Sequence, residues 1–148
     1  VEKFCQKCNE IGIDGLIILD LPLEEYLTEY QAIFEKYNLK NVFLITPQTS
    51  NERILEIDSV SDSFIYMVST AAVTGSLIGF GNEQMNYFER ISNLNLKNPQ
   101  IIGFGINNKE TFEQATLHQK GAIIGSAFIK FMQNHQIDNI GDFLKNIR

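Results

Sequence analysis

Three features are missing from this sequence of 148 residues: a basic cluster, a membrane-length apolar run and a second pair of cysteines. Lys and Arg total 12 against 18 Asp and Glu, giving a formal net charge of -6. Without a Lys/Arg-rich stretch, a broad electrostatic grip on nucleic acid is disfavoured. A small anion is still admissible, because backbone N–H groups bind phosphate without Lys or Arg. No apolar stretch approaches the roughly 18–20 residues that span a bilayer. No signal-peptide pattern opens the chain either. The expectation is a soluble cytoplasmic protein that binds neither nucleic acid nor membrane.

Cys5 and Cys8 form a lone C-x-x-C. That spacing serves redox chemistry or half a metal site when a second ligand pair follows. None follows, and His118 and His135 have no ligand spacing with it. Cys8 shares an apolar helical face with Phe4 and Ile11, so buried free thiols are expected. No metal or cofactor is implied.

What is present is a globular composition, 44% hydrophobic, 11% aromatic and 20% charged, of a length that suits one domain with a sizeable core. The pattern opens with a helix over residues 1–10, where Phe4, Cys5, Cys8 and Ile11 recur at helical spacing. Five strand–helix units follow. Gly15-Leu-Ile-Ile-Leu19 is a continuous apolar run, as in a strand covered on both faces, and a helix over residues 24–37 comes next. Asn41-Val-Phe-Leu-Ile45 precedes a helix capped by Thr49 with Glu52. Phe64-Ile-Tyr-Met-Val68 leads into a long loop and a helix over residues 82–94. Gln100-Ile-Ile-Gly-Phe104 precedes a helix capped by Asn107 with Glu110. Gly121-Ala-Ile-Ile-Gly125 precedes helices over residues 126–133 and 139–147. Repeated βα units predict an α/β fold with a parallel sheet. An open doubly wound sheet and part of a (β/α)8 barrel both satisfy this order.

Strand-end chemistry separates them. Tyr66-Met-Val-Ser69 with Val73-Thr74-Gly75, Gly103-Phe104-Gly105-Ile106, and Gly125-Ser126 all lie at C-terminal strand ends. Glycines there let backbone approach a ligand closely. Amides of Gly105, Gly125 and Ser126 can converge on a phosphate, a recurrent arrangement in the last two loops of such barrels. Alternatively, these glycines only make tight turns. The G-F-G-I-N-N stretch lacks the third glycine of a dinucleotide fingerprint, and no G-x-x-x-x-G-K-[ST] loop is present.

The set Asp14-Gly-Leu-Ile-Ile-Leu-Asp-Leu-Pro22, Phe64-Ile-Tyr-Met-Val-Ser69, Val73-Thr-Gly75, Gly103-Phe-Gly-Ile106 and Gly121-Ala-Ile-Ile-Gly-Ser126 resembles the alpha subunit of tryptophan synthase in order and spacing. The resemblance spans nearly the whole chain. It implies a (β/α)8 TIM-barrel family, here a partial barrel of about five parallel strands with covering helices. Residues 1–148 would be the C-terminal part of one barrel domain, strands four to eight, with strands one to three absent. The implied reaction is retro-aldol cleavage of indole-3-glycerol phosphate to indole and glyceraldehyde 3-phosphate. The implied partner is a pyridoxal-phosphate-dependent beta subunit, in an alpha-beta-beta-alpha assembly of aromatic amino-acid biosynthesis.

By the same resemblance, Ile17, Tyr66, Thr74, Gly75 and Phe104 line the substrate pocket. Gly105, Gly125 and Ser126 hold phosphate, and Asp20 and Pro22 face the partner. Tyr66 or Phe104 as plain core aromatics, and Asp20 as a helix cap, are the simpler readings. The family's catalytic Glu and Asp precede the stretch represented here, so no catalytic residue is assigned, and the chain alone is expected to be inactive. Ala72 and Thr70 replace a Gly and an Arg common in the family, which predicts an altered sixth loop. Another phosphate-binding barrel enzyme, or a non-catalytic module that binds phosphate and a partner, are the alternatives. A Schiff-base aldolase is disfavoured because no Lys ends a strand.

Overall fold

The computed structural model describes residues 1–69 and 80–148. The sixth-loop residues Thr70, Ala72, Val73, Thr74 and Gly75 lie outside these. The strands are β1 (Gly15–Ile17), β2 (Lys40–Val42), β3 (Leu44–Ile45), β4 (Ile65–Val68), β5 (Gln100–Gly103) and β6 (Gly121–Ile123). β1 pairs with β2, and β3 to β6 pair in chain order, every pair parallel. The expected strand over residues 41–45 is thus interrupted at Phe43. The sheet still passes through this point, since Phe43 O accepts from Tyr66 N at 2.8 Å. A strand order equal to chain order is that of a singly wound barrel wall. A doubly wound sheet instead reverses direction partway. The partial-barrel reading holds.

The helices are α1 (Glu2–Glu10), α2 (Leu23–Glu25), α3 (Gln31–Lys36), α4 (Asn51–Val60), α5 (Asn82–Ser92), α6 (Lys109–Thr116), α7 (Ser126–Met132) and α8 (Ile140–Ile147). A π-helical turn, Tyr26–Tyr30, joins α2 to α3. Among the described residues no helix is long and apolar enough to cross a membrane. The helices bury one face of the sheet. Ile45, Met67 and Ile102, in register across three strands, are all at 0% exposure, packed with Phe34, Ile54, Phe88, Ile91 and Ala115. Neighbouring positions point the other way. Leu44, Val68, Ile101 and Ile123 stay only partly buried, and this second face is the one a closed barrel would turn inward.

Several local expectations shift for clear reasons. Cys5 and Cys8 are buried free thiols, but Phe4 and Ile11 are exposed, so the packed face of α1 is narrower than its apolar stripe. Thr49 does not cap α4: its Oγ1 accepts from Thr46 N inside a turn, and Ser50 accepts from Arg53 N instead. Asn108, not Asn107, caps α6, in a reciprocal box with Thr111. Asp20 caps nothing, because α2 starts behind Pro22 with no side-chain cap.

Two polar anchors tie neighbouring units. The buried Asp58 carboxylate accepts from Lys97 N at 2.9 Å, Asn98 N at 3.0 Å and Asn98 Nδ2 at 2.8 Å, pinning the segment before β5 to α4. On the surface, Arg53 reaches both Glu24 carboxylate oxygens at 2.8 Å and Glu56 at 2.7 Å. These hydrogen bonds hold the Glu24 carboxyl down at about 2.

Asp58→Ala leaves buried N–H donors without acceptors and is expected to lower unfolding free energy by about 2–3 kcal/mol in urea melts. Because the folded value of Glu24 is depressed, the stabilisation from its pair is complete above the ordinary carboxylate range and is lost as pH falls towards 2. A carboxyl NMR titration should give that low midpoint, and Arg53→Met should return it towards the ordinary range.

Candidate functional site

At the C-terminal ends of β4, β5 and β6 lies a cleft of about 330 Å³ lined by Tyr66, Phe104, Gly105, Ile106, Asn107, Ile123, Gly125 and Ser126. Its composition follows from strand register. Tyr66 pairs with Ile101, and Gly103 pairs with Val68 on one side and Ile123 on the other. Side chains alternate along a strand, so Tyr66, Gly103 and Ile123 share a face. The Tyr66 ring leans over the bare Cα of Gly103: a Cβ added there would overlap the phenol ring and hydroxyl. Gly103 is thus the residue that lets Tyr66 lie flat along the cleft wall. Burial pushes the Tyr66 phenol up, keeping it protonated at neutral pH.

Beyond Gly103 the chain turns sharply. Phe104 has φ +69° and Gly105 has φ +73°, two successive left-handed residues. Glycine adopts this freely, whereas phenylalanine does so at about 1–2 kcal/mol. The turn swings the Phe104 ring, 55% exposed, to an edge contact 6.0 Å from Tyr66 between centroids. Across the cleft, Gly125 precedes α7 with no side-chain cap, so the first amides of that helix have no side-chain acceptor. The lining therefore combines an aromatic and aliphatic wall with main-chain groups, and among the described residues it contains no Asp, Glu, His, Lys or Arg.

Five of the residues singled out by sequence, Tyr66, Phe104, Gly105, Gly125 and Ser126, meet in this cleft. Thr74 and Gly75 lie outside the described residues. Ile17 does not line the cleft; it ends β1, is 48% exposed and pairs with Val42. Pro22 lies in a separate groove of about 250 Å³ with Leu19, Phe43 and Arg53, while Asp20 is exposed beside it. Sequence reasoning did not assign Ile106, Asn107 or Ile123 to the cleft, nor Gly103 to the seat of the Tyr66 ring. The available signal was a bulky Tyr on one strand and a Gly on the same face of the next, two residues beyond the Tyr's register partner.

Gly103→Ala is expected to force the Tyr66 ring aside and destabilise the protein by about 1–3 kcal/mol. A double-mutant cycle with Tyr66→Ala in thermal melts should show strong coupling, since the smaller residue removes the overlap. Independent, additive effects would contradict this contact.

The family model for the tryptophan synthase alpha chain matches residues 1–146. The tryptophan synthase alpha chain of Flavobacterium johnsoniae is 70% identical over 148 residues, 100% of this chain and 58% of that relative. That of Flavobacterium psychrophilum is 67% identical over 147 residues, 99% of this chain and 58% of the relative. A solved structure from Aquifex aeolicus VF5 aligns at TM-score 0.78 and 32% identity, covering 99% of this chain and 54% of that one. Tryptophan synthase subunit alpha from Campylobacter jejuni aligns at TM-score 0.79 and 24% identity, covering 99% and 58%, which bears on fold alone. The chain spans about 58% of the length of the Flavobacterium relatives. With a matching family model, high identity to those relatives and a parallel barrel wall of the same form, this chain belongs to the tryptophan synthase alpha chain family.

Proposed function

We propose that the chain supplies the phosphate-holding side of an alpha-type lyase, which cleaves indole-3-glycerol phosphate to indole and glyceraldehyde 3-phosphate. On this reading its strands are the fourth to eighth of the barrel. The observation that carries it is the cleft at the ends of β4 to β6, with main-chain groups at one part and apolar walls at another. Amides of Gly105, Gly125 and Ser126 hold the phosphate, with the uncapped start of α7 beside it. Tyr66, Phe104 and Ile123 take the flat apolar indole. Thr74 and Gly75 belong to the loop that closes over the substrate, and Ile17 contributes to the wall on the far side of the barrel.

The reaction protonates C3 of the indole, breaks the bond from C3 to the hydroxyl-bearing carbon, and removes the hydroxyl proton as the aldehyde forms. Each proton needs an acid or base within hydrogen-bond reach. None of the cleft residues is a carboxylate, imidazole or amine. On this reading the catalytic carboxylates come from outside this chain, and the 148-residue chain anchors substrate without turning it over. No cofactor is needed for these steps. The groove at Pro22, with Asp20 on its rim, faces the beta subunit, which receives the indole.

Titration of the purified chain with indole-3-glycerol phosphate should show binding that inorganic phosphate competes away. A lyase assay of the same chain should show negligible turnover. Turnover at the level of an intact alpha chain would overturn the division of labour, and absence of phosphate competition would overturn the anchor. Another phosphate-binding barrel chemistry would show as binding of a different sugar phosphate in preference to the indole compound.

A further inference from the structure

Ser69 follows β4 and does not line the cleft, yet it touches the turn that does. Its side chain is almost fully enclosed, at 1% exposure. The hydroxyl donates towards two successive carbonyls, Gly103 O at 2.9 Å and Phe104 O at 2.7 Å, and its backbone N–H donates to Gly103 O at 3.2 Å. Those carbonyls flank the step from extended strand into the left-handed pair Phe104 and Gly105. A left-handed phenylalanine is held only where surrounding contacts outweigh its strain.

We propose that Ser69 is a positioning residue for the phosphate anchor. Its hydroxyl pins the Gly103 and Phe104 carbonyls, and so fixes the left-handed turn that places Gly105 at the cleft. Two features point the same way. Ser69 bonds the Phe104 main chain directly, and Phe104 is itself more than half exposed, its ring meeting Tyr66 edge-on. The Gly105 amide is thus aimed by a side chain that never meets the ligand. Loosening it would blunt recognition of the phosphate more than that of the apolar end of the cleft, where Tyr66 and Ile123 stand on the strands and only Phe104 belongs to the turn.

This inference rests on the anchor proposed above, and the test separates the two. In an intact alpha chain carrying this sequence, Ser69→Ala, Ser69→Cys and Ser69→Thr are compared with the parent. The probes are inorganic phosphate and, separately, indole. Ser69→Ala should weaken phosphate binding roughly three- to tenfold, the worth of one buried hydrogen bond. Its indole affinity should stay within about twofold, and KM for indole-3-glycerol phosphate should rise more than kcat falls. Ser69→Cys, which keeps the bulk with a weaker donor, should lie between, and Ser69→Thr should restore phosphate binding. Equal weakening of phosphate and indole would mean a general structural role and overturn the proposal. So would unchanged phosphate affinity in both Ser69→Ala and Ser69→Cys. If Ser69→Ala fails to fold, the cysteine and threonine variants decide by the same readings. A parent that binds indole but not phosphate overturns the anchor itself, and the role of Ser69 with it.

Discussion

Parallel register across β4, β5 and β6 determines which residues can share the cleft, because each strand alternates its side chains between two unlike environments. One face meets the helices and packs Met67 and Ile102 at 0% exposure. The other carries Tyr66, Gly103 and Ile123. A one-residue slip of β5 would send Ile102 into the cleft and Gly103 into the core. It would also remove the seat of the Tyr66 ring. The buried face makes such a slip costly, so the hydrophobic core enforces the geometry of the site without contributing an atom to it.

Polar anchors extend that precision to the segments between strands. Asp58 fixes the entry to β5 through the amides of Lys97 and Asn98. Ser69 fixes its exit through the carbonyls of Gly103 and Phe104. β5 is therefore held at both ends by side chains from outside it, as well as by its two neighbours. Arg90 does similar work on the loop after β3, donating to the Pro47 and Thr49 carbonyls and to Asn51 Oδ1. Such anchors offset the tendency of connecting segments to fray.

Element order was legible in the sequence because strand–helix periodicity is local. The apolar runs at Gly15, Asn41, Phe64, Gln100 and Gly121 all contain strands, and the glycine-bearing ends of the last two do meet at one cleft. Caps were less legible. Thr49 and Ser50 are equally good capping residues, and only the competing turn at Thr46 decides between them. The outward placement of Phe4 and Ile11 depends on what α1 packs against, which no spacing rule contains. The roles of Gly103 and Ser69 were hidden for a related reason. Each acts on a residue of another strand, more than thirty positions away, and only the register brings the partners together.

On the function proposed above, the cleft would separate two tasks that many enzymes combine. Backbone amides can hold an anion with no titrating side chain, so the lining of this cleft keeps its character across neutral pH. The phenol of Tyr66, pushed up by burial, stays protonated there as well. The affinity of such an anchor follows the ionisation of the phosphate rather than that of the protein. The proton transfers of a retro-aldol step require groups that change charge, and these are absent from the lining. A partial barrel can thus carry recognition in a rigid, charge-neutral form. On the function proposed above, the reactive carboxylates are groups other than those of this lining.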